Sequence, residues 1–512
     1  MDIFMNQAHP VVTVLVATSI LVFVWRRVFS ATCRLPLPPG PKGRFLLGNL
    51  GQISAEHPEM DYIRWGKEYN SDVIHTQVLG QHMLSLNSVE SASDLLDKRG
   101  NIYSDRPRFT LFEVMGWGLT LTFLRWGPRF KLHRRLFQTS FSQSNIKTFR
   151  PMQLQEARKA VRSLLADPHD WKDITLLMAT SIIFRVAYGQ EVSSKDSPYC
   201  EMSLAANYAT TEGGVPGSTL VDIFPLARHL PDWLNISPSL QHARRSRPTI
   251  QTIHEVPWAA ALKDYEAGTT SPSFMRTHLG TYLANKEAGK KQDLTIPDVK
   301  GAAGAIFIAG GNTTWSTLQS CILFLVKYPE VQKRLQRELD EVVGRERLPD
   351  FEDLPKLPYL ECFMNETLRC LPLNPLVIPH MSLRDDTYNG MFIPKGTVIF
   401  ANAKAMAMAA DKYQNPELFD PDRYLRGEPS PPGNFGFGRR RCPGNYLAMA
   451  SVNIFIVTLL SAFNLEMALA DDGTPMEPEV ELSVGLGGHP KPFECTLKPR
   501  TDTTAPALMS QE

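Results

Sequence analysis

Apolar and polar residues follow a helical rhythm over most of the chain. MQLQEARKAVRSLLA (152–166), ITLLMATSIIFRVAY (174–188), IPDVKGAAGAIFIAG (296–310) and EVQKRLQRELDEVV (330–343) predict helices. Strand character is confined to short runs, VIHTQVLGQHMLSLN (73–87) and GMFIPKGTVIFANA (390–403). NYLAMASVNIFIVTLLSAF (445–463) reads as one long apolar helix. No low-complexity linker, repeat or glycine-serine run interrupts residues 51–500, so the expectation is one large body, mainly α with minor β. The polar end, TDTTAPALMSQE (501–512), is expected to be a disordered tail.

A different pattern opens the chain. VVTVLVATSILVFVW (11–25) is uninterruptedly apolar and is followed by Arg26 and Arg27. With the charge behind the apolar run and not ahead of it, a cleaved signal peptide does not fit. The positive-inside rule then predicts a signal anchor over 1–29, a single-pass transmembrane helix with its N-terminus in the lumen. Residues 30–50 contain Pro36, Pro38, Pro39 and Pro41, whose fixed φ predicts a stiff hinge between anchor and body.

Composition narrows the function. The chain has 512 residues, 43% hydrophobic and 21% charged, with a net charge of +1. That balance excludes a broad nucleic-acid footprint, which needs a strong basic excess. Seven cysteines without a C-x-x-C pair form neither a disulfide framework nor a zinc site, and they place the body in a reducing compartment. N-x-S/T sequons at Asn235, Asn312 and Asn365 are read as chance matches, because a cytosolic body does not meet the glycosylation machinery.

Candidate chemistry centres on FGFGRRRCPG (435–444). Gly438 and Gly444 permit tight turns and close approach of a flat ligand, and backbone N–H groups of such a turn can donate to the Cys442 sulfur. Arg440 can pair with a ligand carboxylate, and the positive end of the following helix favours thiolate. Upstream, Glu366 and Arg369 stand three apart on one helical face in NETLRCLPL, among neighbours too apolar for a solvated pair. GAAGAIFIAGGNTTWSTLQ (301–319) predicts a central helix thinned by glycine and alanine where a bulky cofactor passes, with Thr313 at its middle.

The spacing of Phe435, Gly438, Arg440, Cys442 and Gly444 is that of F-x-x-G-x-R-x-C-x-G, and the chain resembles the cytochrome P-450 superfamily from anchor to tail. The resemblance implies a haem-thiolate fold with haem b (iron protoporphyrin IX) and Cys442 as the axial iron ligand. It assigns Phe435, Gly438 and Gly444 to the cofactor-binding loop, and Arg440, Arg134 and His380 to haem propionate binding. FDPDRYL resembles the segment whose arginine, here Arg423, completes a structural network with Glu366 and Arg369. On the central helix it assigns Thr313 and its neighbour to oxygen and proton handling. Two departures stand out. Asn312 replaces the usual acid, and an amide orients water but does not titrate. Phe130 replaces the tryptophan that pairs with Arg134 in the family pattern, with His133 a possible substitute donor.

The implied reaction is a monooxygenation of a lipophilic small molecule, with O2 as co-substrate and electrons from NADPH. Nothing after the cysteine loop resembles an appended flavin domain, so the implied donor is a separate NADPH-cytochrome P-450 reductase, with cytochrome b5 as an additional partner. Lys131, Arg135 and Arg439 are candidate reductase contacts. The implied location is the endoplasmic reticulum membrane with the catalytic domain cytosolic. Implied pocket walls are 109–123, 207–225, Ala302, Ile306 and Phe307, 376–378 and 484–486. RGNIYSDRPRFTLFEVMGWG resembles fungal members that act on terpenoid or aromatic secondary metabolites or on xenobiotics. Two alternatives remain open: a haem-thiolate isomerase or dehydratase that does not activate O2, to which Asn312 gives weight, and a non-enzymatic haem-binding protein.

Overall fold

A computed structural model describes residues 35–507 other than 215, 216, 218, 235, 236 and 484. The anchor expected over 1–29 lies outside these residues. Helix makes up 53% of the structure and strand 9%, so the body is mainly α. The elements used below are helices α1 (Pro58–Glu68), α2 (Thr110–Met115), α3 (Pro128–Ser140), α4 (Arg150–Ala166), α5 (Trp171–Tyr188), α6 (Pro198–Thr211), α7 (Pro238–Glu266), α8 (Ile296–Lys327), α9 (Pro329–Val342), α10 (Pro358–Cys370) and α11 (Asn445–Ala462). The strands are β1 (Val73–Val78), β2 (Gln81–Leu86), β3 (His380–Met381), β4 (Asp386–Tyr388), β5 (Met391–Ile393), β6 (Val398–Ala401), β7 (Phe463–Met467) and β8 (Cys495–Pro499). Each of the four helical patterns and both strand patterns coincides with an observed element, because in each the apolar spacing matches the face that is buried.

The sheet is small. β1 and β2 form an antiparallel hairpin, β2 pairs in parallel with β6 (Met83↔Val398), and β3 closes the edge against β6 (His380↔Ile399). The Pro-rich segment is bonded to strands of two sheets, β1 of this one and β5 of the β4–β5 hairpin. Phe392 N–H donates to Pro36 O at 2.7 Å, and His75 N–H to Pro39 O at 2.8 Å. A side chain at Gly40 would meet the His75 carbonyl oxygen at 1.9 Å, so only glycine permits that approach. The expected disordered tail is corrected for 501–507: Thr504 N–H donates to Arg345 O at 2.9 Å and Ala505 is buried in the main core.

α8 runs through the centre for 32 residues, opened by a capping box between Thr295 and Asp298. Three of its glycines mark crossings by other elements, which corrects the expectation that they make room for a cofactor. A Cβ at Gly301 would lie 2.6 Å from Leu119 Cβ, one at Gly304 would lie 2.2 Å from His254 Nδ1 on α7, and one at Gly310 would lie 2.5 Å from Ile183 on α5. Phe307, expected to line a pocket, is buried edge-on against Phe184 of α5, with centroids 4.7 Å apart. α11 is the one described helix long and apolar enough to cross a membrane; its window is 67% buried, as a core helix would be.

Behind the cysteine loop lies a closed ionic network. Glu366 Oε1 accepts from Arg369 Nη2 at 2.8 Å, from Arg423 Nε at 3.1 Å and from Asp420 N–H at 2.8 Å. Its Oε2 accepts from Arg369 Nε at 2.8 Å and Tyr424 OH at 3.0 Å. Arg369 also donates to the carbonyls of Ala407, Pro416 and Leu418, and Arg423 pairs with Glu428 at 2.7 Å. The three side chains are 0% exposed. A buried ion is tolerated only with such saturation, and removing one partner costs about 3–5 kcal/mol. Glu366→Gln is therefore expected to lower unfolding stability by about that amount, read from the denaturant midpoint of the full chain. An unchanged midpoint would show that the network is dispensable.

Candidate functional site

The loop preceding α11 is shaped around Cys442. Its N–H donates to Phe435 O at 2.7 Å, closing the loop. Gly438 has φ +53°, and a Cβ there would lie 2.1 Å from Leu96 O, so a side chain is excluded on two grounds. Gly444 has no such strain; a Cβ there would point at Cys442 Sγ from 3.9 Å and fill the space beside the thiol. Burial pushes the Cys442 thiol above its usual range, while backbone N–H groups of Gly444 and Asn445 and the charges of Arg134 and Arg441 pull it back. Cys442 nonetheless keeps open surface.

Around that loop the structure collects positive charge with unspent donors. Arg440 donates through Nε to Ser104 O at 2.8 Å, but Nη1 and Nη2 are buried and unpartnered. Arg134 bonds Arg441 O through Nη1, leaving Nε unpartnered. His380 is buried, and because a carbonyl only accepts, its Nδ1–H donates to Tyr103 O at 2.8 Å. Its Nε2 is then a bare nitrogen without a partner. Burial and the nearby charges of Arg106 and Arg440 hold this imidazole well below its usual pKa. Burial pushes Arg440 itself down to about 9, with the Asp105 carboxylate opposing.

Arg106 belongs to this cluster and was missed by sequence reasoning. It is buried, donates to the carbonyls of Ile378 and Pro379, and keeps an unpartnered Nε. No local signal marked it: SDRPRF (104–109) is polar and charged throughout most of its length, and the partners of Arg106 lie 272 and 273 residues away. Buried guanidiniums lacking acceptors are costly unless an anion completes them. A flat cofactor with a thiolate-ligated metal and two carboxylates fits: Cys442 would hold the metal and Arg440, Arg134 and Arg106 would hold the carboxylates, whereas His380, whose Nε2 accepts and does not donate, would meet only a protonated carboxyl.

The tryptophan replaced by Phe130 is not replaced in function by His133. His133 Nε2–H donates to Asp298 at 2.9 Å, tying α3 to the start of α8, where Arg129 Nε also meets Asp298 at 2.6 Å. Phe130 instead lies beneath Arg440, whose guanidinium carbon is 3.7 Å from the ring centroid. The indole donor is thus exchanged for a cation–π contact that holds Arg440 in place.

On α8, Gly301 to Phe307 are all buried, then Ala309 is exposed and Thr313 half-buried. A Cβ at Gly310 would meet Ile183 at 2.5 Å, one at Gly311 would lie 3.6 Å from Ser203 Oγ, and one at Gly487 would lie 4.0 Å from the Thr313 methyl. Thr313 Oγ1–H donates to Ala309 O at 2.6 Å. Asn312 is buried and turned to α6, its Oδ1 accepting from Ser203 Oγ at 3.2 Å. A separate cavity of about 380 Å³ touches neither Cys442 nor Thr313. It shares Leu376, Val377, Gly485 and Leu486 with the expected pocket walls and reaches His57 and Met60 at α1.

Comparison with known proteins bears on the same loop. The sequence profile "Cytochrome P450" matches residues 38–497. A cytochrome P450 monooxygenase of Armillaria gallica is 35% identical, covering 95% of this chain and 96% of that protein. The tryptamine 4-monooxygenase of Psilocybe cyanescens is 34% identical over 91% of this chain and 94% of its own length. A cytochrome P450 monooxygenase of Rhodocybe pseudopiperita is 36% identical, over 91% and 90%.

Removing one cation should loosen the cofactor without unfolding the chain. Arg440→Leu is expected to speed haem release about 10- to 100-fold, the equivalent of one or two charge-assisted hydrogen bonds. Transfer of haem to an excess of an apo-globin acceptor would measure it. An unchanged rate would remove Arg440 from the carboxylate site.

Proposed function

The chain belongs to the cytochrome P450 family, and from that premise we propose that it hydroxylates or otherwise oxidises a lipophilic, ring-bearing secondary metabolite or xenobiotic, using O2 and NADPH-derived electrons. It is a cytochrome P450 monooxygenase by family and by its fungal relatives. The observation that carries the reading is a Cys442 that keeps open surface, beside three unpartnered guanidinium nitrogens of Arg440 and Arg134. The haem, when bound, supplies the oxidising chemistry that amino-acid side chains lack.

The chain's own residues bind, orient and manage protons. Backbone N–H groups of Gly444 and Asn445 stabilise charge on the Cys442 sulfur, which sets its donor strength. The single proton of the Thr313 hydroxyl is given to Ala309 O, so Oγ1 offers its lone pairs to a water and donates to an oxygen acceptor only after rotating off that carbonyl. Asn312 replaces a titrating acid by an amide already engaged with Ser203, so proton entry runs through water and Thr313 alone. Phe109, Phe112 and Phe123 pack on one another as an aromatic cluster in which Phe109 and Phe112 are buried, Phe112 and Phe123 stacking with centroids 4.5 Å apart. The name of the tryptamine 4-monooxygenase relative supports an aromatic substrate.

Electron supply is assigned to a separate NADPH-cytochrome P-450 reductase, with cytochrome b5 as a further partner. Lys131 and Arg439 flank the Trp126 ring at 5.4 and 5.3 Å on the surface beside the cysteine loop, a cationic patch suited to an acidic partner. The reading includes single-pass anchoring in the endoplasmic reticulum membrane through residues 1–29, which the apolar run at 11–25 supports.

The reduced carbon-monoxide difference spectrum of the expressed chain is expected to show the red-shifted Soret band of thiolate-ligated haem, and Cys442→His is expected to lose it. A short-wavelength band in both would overturn the assignment. Asn312→Asp restores a titrating group and is expected to lower peroxide release per NADPH consumed about two- to tenfold. Turnover of a peroxide or epoxide without NADPH would instead favour an isomerase or dehydratase, the reading to which the Asn312–Ser203 pair gives weight.

A further inference from the structure

By local rules α3 is an unfavourable helix. Its sequence, PRFKLHRRLFQTS, carries Arg129, Lys131, His133, Arg134 and Arg135 and no acid. Arg129 stands in the first turn, at the positive end of the helix, and Gly127 offers no side-chain cap. The C-terminal half has an apolar hold: Phe137 and the following Phe141 pack on Phe274 with centroids 5.6 and 6.4 Å apart. The N-terminal half is held by a carboxylate from α8.

That carboxylate, Asp298, is 0% exposed and divides its two oxygens. Oδ2 accepts from Thr295 N–H at 3.0 Å and from Thr295 Oγ1 at 2.6 Å, closing the cap of α8. Oδ1 accepts from His133 Nε2–H at 2.9 Å and from Arg129 Nε at 2.6 Å. The cap uses Oδ2 alone, so the second oxygen is spent on α3. Without it, His133 would be buried with neither ring nitrogen partnered.

Arg129 and His133 are four residues apart and share one helix face. Each is followed by a residue that addresses the cysteine loop. Phe130 lies beneath the Arg440 guanidinium, 3.7 Å from ring centroid to guanidinium carbon. Arg134 donates to Arg441 O, and its charge acts on the Cys442 thiol. Phe130 and Arg134 are also four apart, on a face turned by about 100° from the first. A helix gripped on the 129/133 face cannot turn freely, so the grip fixes where the 130/134 face points.

We propose that Asp298 is a positioning residue for the cofactor: by holding Arg129 and His133 it sets the rotation of α3 that presents Phe130 and Arg134 to the cysteine loop. This rests on the haem-thiolate reading above. Asp298 spends its oxygens on α3 and Thr295 and acts on the haem site only through α3.

The test measures haem transfer from the loaded full chain to an excess of an apo-globin acceptor. Asp298→Asn, which removes the charge at nearly constant shape, is expected to speed release about tenfold. Thr295→Val weakens the cap of α8 alone; it is expected to lower the thermal midpoint while release stays within about twofold. Because Asp298 acts through the seat of Arg440, the two losses are expected to overlap. Asp298→Asn combined with Arg440→Leu should release haem less than about threefold faster than Arg440→Leu alone. A fully multiplicative pair, or release in Asp298→Asn no faster than in Thr295→Val, overturns the proposal and leaves Asp298 a helix cap. Should Asp298→Asn fail to load haem, Arg129→Leu decides under the same criteria, since that side chain is 43% exposed and its removal opens no core. Hydrogen exchange of the haem-loaded chain over 128–135 reads the grip directly: faster exchange in Asp298→Asn is expected, and unchanged protection overturns it. A parent without the thiolate band would strike the haem-thiolate reading itself, whereas a parent with the band and variants that release haem at its rate strike this proposal alone.

Discussion

The buried carboxylate of Glu366 is the constraint on which the proximal half of the molecule depends. It sits on α10 and gathers Arg369, Arg423, Asp420 and Tyr424 around two oxygens. Through the carbonyls that the two arginines hold, residues 407–428 are fixed in a path with little regular structure of their own. That path leads directly into the cysteine loop. An irregular segment without ladder hydrogen bonds needs side-chain donors to satisfy its carbonyls, and two guanidiniums supply many in a rigid geometry.

A second group of arginines stands in contrast. Around Arg440 the donors outnumber the acceptors: Arg106, Arg134 and Arg440 each retain buried unpartnered nitrogens, with Asp105 the main opposing charge on Arg440. The saturated network is structural because nothing is left over. The unsaturated one has the chemistry of a binding site, because its remaining donors would be complete only with an anionic ligand. Both groups are buried arginine clusters, and only their hydrogen-bond accounting tells them apart.

α8 serves as a spine for closely approaching neighbours. Its glycines admit Leu119, His254 and Ile183, and this close packing leaves the stretch around Ala309 and Thr313 as the part of the helix that faces open space. Asn312 is turned away into a neutral bond with Ser203, so the helix offers a hydroxyl and no titrating acid there.

The sequence alone was sufficient for whatever is local. The helical and strand patterns, the turn chemistry of residues 435–444, the i,i+3 pair of Glu366 and Arg369 and the resemblance they carry all follow from residues close together along the chain. Only the tertiary structure decided the rest, because those features are pairings across long separations. Arg106 became part of the anion-binding cluster through carbonyls 272 and 273 residues away, and His133 was claimed by Asp298 at a distance of 165 residues. The glycines of α8 looked like room for a cofactor and proved to be room for neighbouring elements; the apparent tail at 501–507 proved to be bonded to Arg345. A residue's type states what it can bond, but folding determines which of its potential partners arrives, and a buried polar group takes the one that satisfies it.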